Sequence, residues 1–284
     1  MTPAKGAAGW SRRPYAAAMS SETDDRLVTV ERDGHVLLIG INRAAKRNAF
    51  TLELIDQLGA AYEELADDSE LRVGVLFGHG DHFSAGLDLA EVGPAVAESG
   101  PSALTGSHRY DPFGMWAPQV PKPVVMAVQG IAFTLSIELA LASDIVIAAS
   151  DVRFRQLEVG RGILPFGGAT LRAPLRLGWG NAMKFLLTGA EFDADEALRI
   201  GLVQEVVPAG QQRDRAVELA HLIAAQAPLG VVGTLQNSRI AETEGIAAAK
   251  EHLVEQLALV MASEDAAEGV QSFLERRDAV FRGR

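Results

Sequence analysis

Val128-Gln129-Gly130-Ile131-Ala132-Phe133-Thr134-Leu135-Ser136-Ile137-Glu138-Leu139 is the stretch on which the fold turns. Its apolar opening reads as the end of a strand, Gly130 as a break, and Leu135 onward as a helix with an acid in its first turns. Continued to Ala149 the run approaches the length of a membrane span, but Glu138 and Asp144 fall inside it and Ser and Thr interrupt it. It therefore reads as a buried helix, Leu135 to Ala142, followed by a strand, Ile145 to Ala149. An ionised carboxylate is rarely left among Ile, Leu, Phe and Ala unless something binds it or its pKa has been moved. A second acid, Glu158, lies in Phe154-Arg155-Gln156-Leu157-Glu158-Val159-Gly160, ahead of the glycine-rich Gly162-Ile163-Leu164-Pro165-Phe166-Gly167-Gly168. Two acids so placed suggest acid/base chemistry.

Upstream, Leu27 to Arg32 and His35 to Ile41 are strand-like runs joined at Asp33-Gly34, a hairpin signal. Thr51 can cap a helix whose apolar positions Leu54, Leu58, Ala61 and Leu65 keep helical spacing, and Val73 to Phe77 then reads as a buried strand. After a long loop, Pro123 to Val128 is a further strand. This alternation predicts an α/β fold with parallel strand pairs and right-handed crossovers. Downstream, Ala169 to Leu177, Asn181 to Leu187 and Asp195 to Ile200 look helical and Val203 to Val207 extended. The remainder is helix-forming, including Gln211 to Gln226, Ile246 to Met261 and Glu264 to Phe281. Three regions are expected: a flexible extension over 1–24, a core over 25–207 and a helical region over 208–284.

The chain has 284 residues, 48% of them apolar and 22% charged, which is ordinary for a soluble globular protein. Its formal net charge of −11 argues against a nucleic-acid backbone or an anionic membrane as the main partner. The absence of cysteine removes disulfides, thiolate nucleophiles and sulfur-ligated metals, and fits a reducing, cytoplasmic compartment. The first twenty residues carry Lys5, Arg12 and Arg13 without acids and lack the continuous apolar block of a secretory signal; a transit peptide is the weaker alternative to a simple extension.

Two small-residue turns complete the chemistry. Ser84-Ala85-Gly86 and Gly130-Ile131-Ala132 leave room for a backbone to approach a ligand, and a helix start follows the second. Two unpaired amides converging on one oxygen would form an oxyanion hole, and a thioester carbonyl is a suitable client. His79 and His82 flank the first turn without a third ligand at suggestive spacing, and Ser84 and Ser136 lack triad partners, so a metal site and a serine nucleophile are disfavoured. Gly162 to Gly168 lacks the Gly-Lys-Ser/Thr ending of a phosphate loop and reads as a turn before a helix. Trp116, Trp179 and Phe166 read as core or pocket-wall residues.

Taken in order, Asn42-Arg43 with Lys46-Arg47-Asn48-Ala49, Phe83 to Leu89, Pro121-Lys122-Pro123-Val124 leading to Gly130 and Glu138, then Asp144, Phe154, Glu158, Gly162, Pro165, Gly167-Gly168 and the closing Phe273-Leu274-Glu275-Arg276-Arg277 resemble the enoyl-CoA hydratase/isomerase (crotonase) superfamily from Leu27 to Arg284. The resemblance implies a spiral core of ββα repeats with a C-terminal helical trimerisation region. It implies enoyl-CoA hydratase activity, with oxyanion-hole amides at Leu87 and Leu135, Glu138 helping to activate water for attack on Cβ, and Glu158 protonating Cα. Lys46, Arg47, Ala49, Ala85, Gly86, Asp88, Leu89 and Ala90 would line the coenzyme A path. Coenzyme A would enter only as part of the acyl-CoA substrate, with no metal or other cofactor, and the chain would assemble as a homotrimer or hexamer. A double-bond isomerase, another crotonase-type lyase or hydrolase, and a non-catalytic binding protein on the same fold are the alternatives. Thr134-Leu135-Ser136 stands where many relatives carry glycines, so the Leu135 side chain is expected to narrow or redirect the acyl path.

Overall fold

In the computed structural model, which describes residues 26–284, β1 (Val28–Asp33) and β2 (Val36–Ile41) form the expected hairpin with Asp33 opposite Val36. The extension expected over 1–24 lies outside the described residues. The helix α1 (Leu52–Asp67) begins at Thr51, whose hydroxyl accepts from the Leu54 amide at 3.1 Å, and it buries Leu54, Leu58, Ala61 and Leu65. The strand β3 (Val73–Gly78) follows, buried along its whole length.

The segment expected to be one long loop contains α2 (Leu89–Ser99) and a short 3-10 turn, Pro101–Leu104. This helix buries only Val92 and holds Gly93 and Pro94, so it offers no apolar stripe and little intrinsic helix preference to read. Next come β4 (Val124–Val128), β5 (Ile131–Phe133) and α3 (Leu135–Ala142), then β6 (Ile145–Ala149) and β7 (Arg153–Arg155), a 3-10 turn over Glu158–Arg161, and α4 (Ala169–Leu177) with α5 (Trp179–Thr188). The run β8 (Phe192–Asp193), α6 (Ala194–Ile200) and β9 (Glu205–Val207) ends the core.

In the two clearest turns, β4-β5-α3 and β6-β7-α4, one strand joins a six-stranded sheet, a shorter strand joins a second sheet, and a helix follows. The larger sheet has the order β1-β2-β3-β4-β6-β9, parallel except for the hairpin, and the smaller is β5-β7-β8. An isolated bridge between Ser84 and Ala132 lies beside β5, a vestigial second strand between β3 and α2.

Strand alternation sorts the core into two layers. Leu37, Ile39 and Ile41 pack against α1 and α3, whereas Val36, Leu38, Val73, Val75, Phe77, Val125, Ala127 and Ile147 face Ala216, Ala220 and Ala224 of α7 (Gln212–Ala224). Beyond it lie α8 (Pro228–Thr243), α9 (Ile246–Met261) and α10 (Glu264–Glu275). The last helix stops short of the expected Phe281. Arg276 takes a left-handed conformation at φ 55°, and the tail folds back so that the Arg282 and Gly283 amides donate to the Asp265 carboxylate at 2.7 and 2.8 Å. Arg72 fastens the same tail to the core by donating to the carbonyls of Ala224 and Phe281, both at 2.8 Å. Among the described residues, no single helix is long and apolar enough to cross a membrane.

Candidate active site

Two backbone crossings bring the two small-residue turns together. In the first, the Phe50 amide donates to the Gly86 carbonyl at 2.8 Å and the Asp88 amide to the Phe50 carbonyl at 2.9 Å. That parallel bridge uses the groups on either side of Leu87 and leaves the Leu87 amide facing the other way. In the second, the Ser84 amide donates to Ile131 and the Phe133 amide to Ser84, both at 3.0 Å, with the Ser136 hydroxyl also reaching the Ser84 carbonyl. Leu135 is the first residue of α3, so its amide has no carbonyl within the helix to bind. Neither the Leu87 nor the Leu135 amide donates to an acceptor among the described residues.

Thr134, the residue before Leu135, sits at φ 49° and ψ −109°, a region that a β-branched residue enters only under strain. Its amide donates to the Arg155 carbonyl at 2.8 Å, so the second sheet holds it there. The Leu135 side chain is buried in the core, with Cδ1 only 3.0 Å from the point where a β-carbon on Gly167 would stand. It is thus turned onto the Gly167-Gly168 segment.

Both acids are buried. Glu138 on α3 accepts the Gly167 and Ala169 amides at 2.8 and 3.0 Å, both on Oε1. Burial raises its pKa to about 8, the negative charge of Glu158 adding to the rise, while the two amides and Arg172 oppose it. Glu158, in the 3-10 turn after β7, takes the Gln156 side-chain amide on Oε1 at 3.2 Å; burial raises it to about 7. Its Oε2 is buried with no hydrogen bond among the described residues, and Glu138 Oε2 accepts none there either. Each carboxyl therefore spends one oxygen on the protein and keeps one for something else.

Gln156, Gly167, Ala169 and Arg172 are the participants that sequence reasoning missed. Gln156 stood inside the quoted Glu158 motif, and the Gly-Gly pair was read only as a turn. A β-carbon on Gly167 would lie 2.7 Å from Glu138 Oε2, which is why that position admits the carboxyl. Arg172, on α4, had no local signal.

The residues expected along the coenzyme A path gather around the first crossing. Lys46 and Arg47 are exposed on the turn after β2, with Arg47 left-handed at φ 51° and its carbonyl accepting the Ala85 amide at 2.9 Å. Ala85 and Ala49 are half-buried, Gly86 is buried, and Leu89 and Ala90 are exposed at the start of α2. The Asp88 carboxylate is engaged by Arg43 at 3.0 Å, and the same guanidinium nitrogen donates to the Ala49 carbonyl at 3.1 Å. Asn48 completes this clamp, donating to the carbonyls of His79 and His82 at 2.8 Å each.

The residues set aside as non-catalytic have structural bonds. His82 accepts the Ile131 amide at 3.3 Å, His79 contacts the Thr29 hydroxyl at 2.8 Å, and the Ser84 hydroxyl bonds the Asn48 carbonyl and the Gly86 amide. Phe166 packs against the core, but Trp116 and Trp179 are 47% and 71% exposed, which corrects the reading of both as core or pocket-wall residues.

Residues 31–284 match the family described as enoyl-CoA hydratase/isomerase. The chain is 36% identical to carnitinyl-CoA dehydratase of Salmonella paratyphi A over 89% of its own length and 97% of that protein. Its fold is similar to a probable enoyl-CoA hydratase/isomerase from Mycobacterium abscessus, with 51% identity, a TM-score of 0.88, and coverage of 91% and 99% of the two chains. It is also similar to an enoyl-CoA hydratase from Mycobacterium tuberculosis, with 33% identity, a TM-score of 0.83, and coverage of 92% and 100%. This chain belongs to the enoyl-CoA hydratase/isomerase family, within the crotonase superfamily of enzymes that act on CoA thioesters.

Proposed function

We propose that the protein is an enoyl-CoA hydratase, adding water across the 2,3 double bond of an unsaturated acyl-CoA. The observation that carries this reading is the pairing of Glu138 and Glu158, each buried with one oxygen not bonded to the protein, beside a crossing that leaves the amides of Leu87 and Leu135 undonated. The thioester oxygen accepts the two amides. Glu138 takes a proton from water as the water oxygen bonds to Cβ, the double-bond electrons move into an enolate, and the oxyanion is held by the same two amides. Glu158 then gives a proton to Cα, and the pair resets by exchange with solvent. The productive form has Glu138 ionised and Glu158 protonated; two raised pKa values that repel each other keep one proton on the pair near neutral pH, and the higher value at Glu138 makes the productive arrangement the less populated of the two. No metal or redox cofactor enters the scheme.

The exposed loop with Lys46 and Arg47 is the basic patch assigned to the coenzyme A phosphates on an otherwise acidic protein. Self-association to a trimer or hexamer is part of the same proposal; Leu257, Leu259, Phe273 and Leu274 stand 55–82% exposed on α9 and α10, more apolar surface than a lone chain ordinarily leaves in water.

The test is turnover of a panel of acyl-CoA esters in both directions, carnitinyl-CoA included. Loss of the conjugated enoyl-thioester absorbance on mixing with 2-enoyl-CoA is the expected result. If a 3-enoyl-CoA gains that absorbance while every 2-enoyl ester is untouched, the protein is an isomerase instead.

A further inference from the structure

The reaction just described leaves a charged side chain beside the acids without a task, Arg172 of α4. Its Nη2 donates to the Gly114 carbonyl at 3.0 Å, and its Nη1 is buried with no acceptor among the described residues. Of the acids around it, Glu242 pairs with Arg176 at 3.0 Å, the Asp111 carboxylate is taken by the amides of Phe113, Met115 and Trp116, and Glu138 makes no hydrogen bond with the guanidinium. A buried charged donor left without an acceptor is costly, so Nη1 has an unfilled place for an anionic oxygen.

Position gives that shortage a meaning. Nη1 lies 2.5 Å from the point where a β-carbon on Gly168 would stand, with the Met115 sulfur 3.0 Å from the same point. Gly168 directly follows Gly167, which holds Glu138 and meets the Leu135 side chain. The Gly167-Gly168 backbone thus has the catalytic acid against one residue and the unpaired guanidinium against the next. Met115, whose sulfur stands by the same glycine, is an unbranched side chain that repacks easily.

The geometry points to Arg172 as the specificity residue for the acyl group, binding a carboxylate at its distal end. The preferred substrate is then the mono-CoA thioester of a short unsaturated dicarboxylic acid, its Cβ at Glu138 and its free carboxylate reaching past the two glycines to Nη1. This rests on the acyl-CoA reading above, and acyl groups ending in a quaternary ammonium would be repelled by the same charge.

Binding separates the two ideas because it needs no turnover. The probes are glutaryl-CoA and valeryl-CoA, saturated thioesters of equal chain length differing in the terminal carboxylate, titrated calorimetrically into the full chain at pH 7. Glutaryl-CoA is expected to bind at least about tenfold tighter, the ratio falling toward one in Arg172→Gln and partly retained in Arg172→Lys, with circular dichroism checking the fold of each variant. The inference is overturned if the intact protein binds the two esters equally, prefers the neutral one, or binds a quaternary-ammonium acyl-CoA more tightly than glutaryl-CoA. It is also overturned if Arg172→Gln weakens both esters alike, which would make Arg172 a support for Glu138 or the Gly114 loop. If neither ester binds while free coenzyme A does not bind either, the acyl-CoA reading itself fails and this inference with it.

Discussion

Gly86 lies against Thr134 with no room for a β-carbon, which would stand 1.9 Å from the Thr134 hydroxyl oxygen. The contact joins the residue before Leu87 to the residue before Leu135, so the two amides assigned to the oxyanion are spaced by one van der Waals contact between loops that are far apart in sequence.

Gly86→Ala tests that spacing. Gly86 sits at φ +96°, so the alanine is strained as well as crowded, and a loss of about 1–3 kcal/mol in stability is expected with at least about a hundredfold loss in kcat. Adding Thr134→Gly removes the clashing hydroxyl and places glycine where φ is already positive. Thermal melts and kinetics of the double variant should recover part of both losses; no recovery at all would show that the contact does not set the spacing.

Glu138→Gln and Glu158→Gln remove the two groups proposed for acid/base work with little change of shape. Each is expected to lower kcat by roughly 10² to 10⁴ while leaving acyl-CoA binding within a few fold, as read by steady-state kinetics and calorimetry. Unchanged turnover of every ester in both variants would refute the assigned pair.

The pH profile follows from the raised acids. Because the proposed reaction needs one proton between the two carboxyls, kcat/KM should be bell-shaped, with limbs governed by apparent values near 7 and 8 instead of the ordinary carboxylate range. A flat profile from pH 5 to 9 would remove the pair from the rate.

Gln156→Leu deletes the donor to Glu158 Oε1, a bond that favours the ionised carboxyl. The limb governed by Glu158 should move upward by about one pH unit, with kcat lowered and KM little changed. A uniform fall in rate without a shift of the limb would leave Gln156 a packing residue only.

Stability should depend on pH at Glu138. Its folded pKa of about 8 lies above the ordinary 4.5, so the stability associated with its protonated form is fully present below about 4.5 and is lost as pH rises through 8. Glu138→Gln cannot ionise, so its melting temperature should gain on that of the unaltered protein between pH 5 and pH 8. The gain is expected to correspond to about 2 kcal/mol or more at the upper end. Parallel melting curves across that range would show that Glu138 is not buried as described.

The elements legible in the sequence were those whose cause lies within a few residues. Asp33-Gly34 specified the hairpin, Thr51 the start of α1, and the uniform apolar surroundings of Glu138 announced its burial. The long-loop reading failed at α2 because Gly93 and Pro94 hide a helix that packs through Val92. The last helix was drawn too far because its tail is stopped by Asp265 and Arg72, partners distant along the chain.

The sequence by itself determined the alternation of strands and helices, the two costly acids and the small-residue turns, because periodicity and local backbone preference are written into neighbouring residues. Only the tertiary structure decided which groups serve each acid. The Gly167 and Ala169 amides reach Glu138 across 29 and 31 residues, and Gly86 meets Thr134 through the crossing of two loops. Arg172 joins Gly168 beside them by the packing of α4. Hydrogen bonds and charges act over a few ångströms of space, and it is the pairing of β4 through β7 and the packing of α3 and α4 that makes those distances short.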